Sequence, residues 1–101
     1  MWVMVLFDLP TTTRAERHSY TLFRNFLLDN AFEMAQYSVY VRHTNGKDAV
    51  QSLIAKIEKA VPPEGKVDIL QFTDKQYENI VCLRGARRGA QPKNPAQLVM
   101  F

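Results

Sequence analysis

The chain opens on an apolar run, Trp2-Val3-Met4-Val5-Leu6-Phe7, that ends in one carboxylate, Asp8, and is followed by Leu9-Pro10 and three threonines. A run this short, rich in β-branched and large apolar residues and closed by proline, reads as a buried strand. Strand alternation puts Val3, Val5 and Phe7 on one side and Trp2, Met4, Leu6 and Asp8 on the other. Both sides are apolar, so the strand must lie in a sheet covered on both faces. Burying an unpaired carboxylate is costly, so Asp8 either meets a cation, a metal or a hydrogen-bond donor, or it caps the turn into the next element.

The following segments alternate between helix and strand patterns. Thr13-Arg14-Ala15-Glu16 is a capping box, which starts a helix that runs to about Asp29 or Asn30. Its apolar face carries Tyr20, Phe23, Leu27 and Ala31, flanked by Leu22 and Phe26. Residues 33 to 42 alternate as one long strand or as two short ones joined by a tight turn. A second helix is predicted from about Lys47 to Ala60, capped by Asn45 and ended by Val61-Pro62-Pro63-Glu64-Gly65. A strand at Lys66 to Phe72, a turn at Thr73 to Gln76 and a strand at Asn79 to Leu83 follow.

This order predicts an α+β sandwich with both helices on one face of a mainly antiparallel sheet. The other face is then bare although the first strand is apolar there. A second copy, packed sheet against sheet about a two-fold axis through Trp2, Met4 and Leu6, is the simplest cover. Two Asp8 carboxylates would then approach each other, with a proton or a divalent cation such as Mg²⁺ between them.

Charge separates the end of the chain from the rest. Residues 84 to 101 hold four of the 13 lysines and arginines and none of the 10 acids. We therefore divide the chain into a folded domain, 1 to 83, and a basic arm, 84 to 101. The arm suits a polyanion or an acidic protein surface, or is an inert solubilising end. Its last residues, Gln97 to Phe101, form an apolar strand signal. The single cysteine, Cys82, fits a reducing cytoplasm, and no stretch has the length of a membrane span or the pattern of a signal peptide.

Phe7-Asp8-Leu9-Pro10, the threonine-rich turn into a basic helix, Gln36-Tyr37-Ser38-Val39-Tyr40-Val41-Arg42, Pro62-Pro63-Glu64-Gly65-Lys66-Val67 and Thr73-Asp74-Lys75-Gln76 together resemble the CRISPR-associated protein two family, in its type II form. The resemblance covers essentially the whole chain. It implies a ferredoxin-like βαββαβ fold with an extra C-terminal strand that crosses to the other protomer, two short strands over residues 33 to 42, a homodimer, and a metal-binding aspartate at Asp8 that takes Mg²⁺ or Mn²⁺. Members are described as metal-dependent endoribonucleases or DNA endonucleases. They are also described as scaffolds of spacer acquisition that hold two dimers of the integrase, CRISPR-associated protein one, around duplex DNA.

Residue chemistry favours the scaffold. Phosphodiester hydrolysis needs an activated water, charge stabilisation and usually several ligands or a general acid. Asp8 is the single carboxylate clearly placed at a strand end; Asp68 and Asp74 lie in other segments with no evident convergence. His18 reads as a solvated helix residue, His43 as a strand end and Cys82 as a small core residue. Phosphate binding needs only fixed cations. Arg14, Arg17, Arg24, Arg42 and Lys75 are the candidates, and Arg84, Arg87 and Arg88 extend that track or meet an acidic integrase surface. For each the bland alternative is an ordinary solvated charge. A third reading, a single-stranded RNA-binding domain, lacks the Lys/Arg-Gly-aromatic strand signature and ranks last.

Overall fold

The computed structural model describes residues 1–85 and 87–88, with Arg84, Arg87 and Arg88 described by backbone alone. The elements are β1 (Trp2–Asp8), α1 (Arg14–Asp29), β2 (Glu33–Gln36), β3 (Val39–His43), α2 (Lys47–Ala60), β4 (Lys66–Phe72), α3 (Asp74–Glu78), β5 (Leu83–Arg84) and β6 (Arg87–Arg88). The first four strands form one sheet in the order β2-β3-β1-β4, every neighbour antiparallel. This is the ferredoxin-like α+β arrangement, with β1 central as its doubly apolar pattern requires.

Local chemistry fixes the helix ends. At α1, the Glu16 amide donates to Thr13 Oγ1 at 3.1 Å, and Glu16 Oε1 accepts from the Thr13 amide at 2.8 Å. The helix ends at Asn30 in a left-handed turn, where the Phe32 amide donates to the Leu27 carbonyl and the Ala31 amide to the Leu28 carbonyl. That double bond pattern normally recruits glycine, yet Ala31 occupies the position with φ 66°. The cap of α2 differs from expectation. Gly46 stands at the N-cap with φ 119° and no side-chain bond, and Asn45 lies one residue too early to serve.

Helices α1 and α2 cover one face, which we term the inner face. Val3, Val5 and Phe7 of β1 pack there with Phe23 and Leu27 of α1 and Val50, Leu53 and Ile57 of α2. Tyr40 joins them from β3. Residues 33 to 42 are two strands, with Tyr37-Ser38 as the turn and Ser38 at φ 61°. The Ser38 carbonyl accepts from the Phe7 amide at 3.1 Å, so this turn is tied to the end of β1.

The opposite, outer face holds the main correction. The predicted turn at Thr73 to Gln76 is the start of α3, formed by a second capping box in which Thr73 Oγ1 accepts from the Gln76 amide at 3.1 Å. The predicted strand at Asn79 to Leu83 is absent. After α3 the chain runs without a regular element to the β5–β6 hairpin. Through α3, Tyr77 lies on Trp2 with ring centroids 3.8 Å apart and nearly parallel. Trp2 is therefore 3% exposed within one chain, and it does not belong to an open pairing surface. Burial pushes the Tyr77 phenol up to about 12. Of the arm, residue 86 and residues 89 to 101, with the apolar segment 97 to 101, lie outside the described residues.

Candidate functional site

Beyond the reach of α3, the outer face is open among the described residues. Met4 and Leu6 of β1 and Val39 of β3 are half-buried there, and Leu70 of β4 is 38% exposed. Register brings the charged residues to the far end of this surface. Asp8 lies opposite Lys66, and Leu6 lies opposite Asp68. Directly opposed strand residues project to the same face, so Asp8, Lys66 and Asp68 are neighbours on it. Lys66 Nζ is 3.4 Å from Asp68 Oδ2. With Leu6, Phe7 and the Tyr37-Ser38-Val39 turn, these three line a cavity of about 310 Å³.

Two expectations change here. Asp8 is exposed in the single chain, so no burial cost demands a counter-charge within it. It does not cap the next helix either, because Thr13 does. Asp68, expected to stand apart, shares the Asp8 cavity. Its position follows from the β1–β4 register, which no local pattern in the sequence reports. Gly65 holds that register at the strand end: with φ 105°, a Cβ there would sit 2.6 Å from Leu9 Cδ2 and 2.9 Å from the Asp8 carbonyl oxygen.

The donor set of one chain does not fit a divalent cation. Among the described residues, no group of three or more His, Cys, Asp or Glu is arranged to hold a metal ion. The two carboxylates of the cavity share it with the Lys66 ammonium, which already pairs with one of them. A Mg²⁺ or Mn²⁺ at Asp8 would need ligands from a second protomer.

His43 takes a structural position. His43 Nε2 lies 3.2 Å from Asp74 Oδ1, and the Met1 ammonium lies 3.1 Å from the same oxygen. The hydrogen bond from that ammonium holds the Asp74 carboxyl below its usual range. His18 is an exposed residue of α1.

The predicted phosphate-binding cations divide into two groups. Arg14, Arg24 and Lys75 are exposed on α1 and α3. Arg17 and Arg42 have jobs in the fold: Arg17 Nη1 donates to the Thr12 carbonyl at 2.8 Å, and Arg42 Nη1 to the Asn30 carbonyl at 2.9 Å. Arg84, Arg87 and Arg88 fall on the β5–β6 hairpin, with side chains outside the described residues. The sequence reading did not single out Lys56 and Lys59, which line a cleft with Arg42. Their helical spacing from Ala49 and Ser52 was the available signal.

The fold and this cavity define a small α+β protein whose sheet presents an aspartate at the end of an open apolar face. Comparison with known proteins narrows the class. The family model for CRISPR associated protein Cas2 matches residues 1–80. The chain is 48% identical over 101 residues to the CRISPR-associated endoribonuclease Cas2 of Paracidovorax avenae, covering 100% of this chain and 94% of that protein. It is 40% identical to the protein of the same description from Acidovorax ebreus, with 100% of both chains covered. It is 34% identical to that of Streptococcus mutans serotype c, covering 100% of this chain and 93% of the relative. The chain belongs to the Cas2 family and has a CRISPR-associated role. No helix among the described residues is long and apolar enough to cross a membrane.

Proposed function

We propose that the chain is a homodimeric subunit of spacer acquisition, which binds duplex DNA through its backbone and bridges dimers of the integrase, CRISPR-associated protein one. The observation that carries this reading is the half-open outer face. It is apolar at Met4, Leu6, Val39 and Leu70, it ends in Asp8, and among the described residues α3 covers only the Trp2 end. A two-fold copy supplies the missing cover and brings two Asp8 carboxylates together. Mg²⁺ or Mn²⁺ between them would relieve their repulsion. The outer edge of β4 is free among the described residues, a template for the C-terminal strand of the other protomer. Exposed Arg14, Arg24 and Lys75 supply sequence-independent contacts to phosphates.

A second reading, a metal-dependent endoribonuclease or DNA endonuclease, is favoured by one feature: Asp68 beside Asp8 doubles the carboxylates near the proposed axis. One variant separates the two. Asp8→Asn should leave duplex binding unchanged and spacer integration with the purified integrase intact, measured with and without Mg²⁺. Loss of both metal-dependent cleavage and integration in that variant would favour the nuclease.

A further inference from the structure

The inner side of the molecule carries a cationic cleft that the outer-face reading does not use. Along α2, Ala49, Ser52, Lys56 and Lys59 recur at helical spacing on one face. The small side chains of Ala49, Ser52 and Ala55 leave room between the two lysines and Arg42 of β3, forming an open cleft of about 520 Å³. Arg42 lies opposite Val3, a residue of the inner core, so its side chain reaches this cleft from the helix side of the sheet.

Two of the three cations are held by neutral partners. Arg42 Nη1 donates to the Asn30 carbonyl at 2.9 Å, and Lys56 Nζ donates to Asn30 Oδ1 at 3.0 Å. Neither acceptor carries charge, so both side chains are fixed in place while their positive charge stays uncompensated. Lys59 makes no ion pair among the described residues, and no acid lines the cleft. The cavity at Asp8 is the reverse, with two carboxylates around one ammonium.

We propose that Arg42, Lys56 and Lys59 form a phosphate-binding site for the backbone of a nucleic-acid duplex, separate from the start of α1. This deepens the reading of the chain as a duplex-binding subunit. An open cleft with three cations, two of them held by neutral acceptors, suits a repeating phosphodiester better than a small metabolite, which would need to be surrounded. The cleft is on the helix side, so pairing of outer faces leaves it free. Each protomer of a dimer then offers one such site, facing away from the partner.

The test compares two single charge removals on α2 in the full chain. Lys59→Gln lies in the cleft, and Lys47→Gln lies on the first turn outside its lining. Binding of a short DNA duplex is measured by fluorescence anisotropy across a salt series. Lys59→Gln should lower the salt dependence of log K by about one unit, and the Lys56→Gln/Lys59→Gln pair by about two, whereas Lys47→Gln should leave it unchanged. Equal slopes for wild type and Lys59→Gln, or an equal loss in Lys47→Gln, would overturn the site. If the wild-type chain binds no duplex at all, the broader reading fails with it, a distinguishable result.

Discussion

The two faces of the sheet are built from the same strand and completed differently. On the inner side, Val3, Val5 and Phe7 are covered by two helices of fourteen and sixteen residues. On the outer side, Trp2 alone among the β1 residues is closed over, and a helix of five residues does it. Inner packing is complete within the described residues; outer packing is half finished by them and left open from Met4 to Asp8. The difference teaches that a strand apolar on both sides does not by itself predict a fully open second face. A short segment can close one end and leave the other bare.

The largest effect should come from the inner face. Phe23→Ala removes a fully buried ring from between β1 and α1 and should cost about 4 kcal/mol in urea unfolding, compared with wild type at the same protein concentration. Tyr77→Ala asks whether α3 alone closes the outer end. It should cost about 3 kcal/mol and shift the fluorescence of Trp2, the only tryptophan, to longer wavelength. An unshifted spectrum would mean that something other than Tyr77 covers Trp2.

Smaller changes sharpen the comparison. Ala31→Gly relieves a left-handed residue at the end of α1 and should stabilise by about 1 kcal/mol, raising Tm by about 4–8 °C. The smallest effect belongs to the ion pair that ties α3 to the chain start. The folded state holds the Asp74 carboxyl below its unfolded value, so the pair contributes stability above that value, and the contribution is lost as pH falls through the folded one. Between roughly pH 5 and pH 2, wild type should lose more stability than Asp74→Asn, read from urea midpoints.

Which parts were legible in the sequence follows from the range of the signals. The capping box at Thr13 and the apolar spacing of α1 are local, and both the start and the end of that helix emerge as expected. The same motif stands at Thr73 to Gln76, but five residues are too few to show a helical period, so α3 reads as a turn and its cover of Trp2 is missed. Asp68 joins Asp8 only through the pairing of β1 with β4, across nearly sixty residues of chain, and alternation within either strand carries no trace of it. The cations show the opposite limit. Arg17 and Arg42 look like surface charges in the sequence, and the structure gives each a backbone carbonyl to hold.

The central claim is that the open half of the outer face is closed by a second copy. Light scattering at micromolar concentration tests it on wild type and on Leu70→Lys, which puts a charge in the middle of that half. The account predicts twice the 11.6 kDa chain mass for wild type and the single-chain mass for the variant, with unchanged circular dichroism. A wild-type monomer, or a variant that stays dimeric, would contradict it.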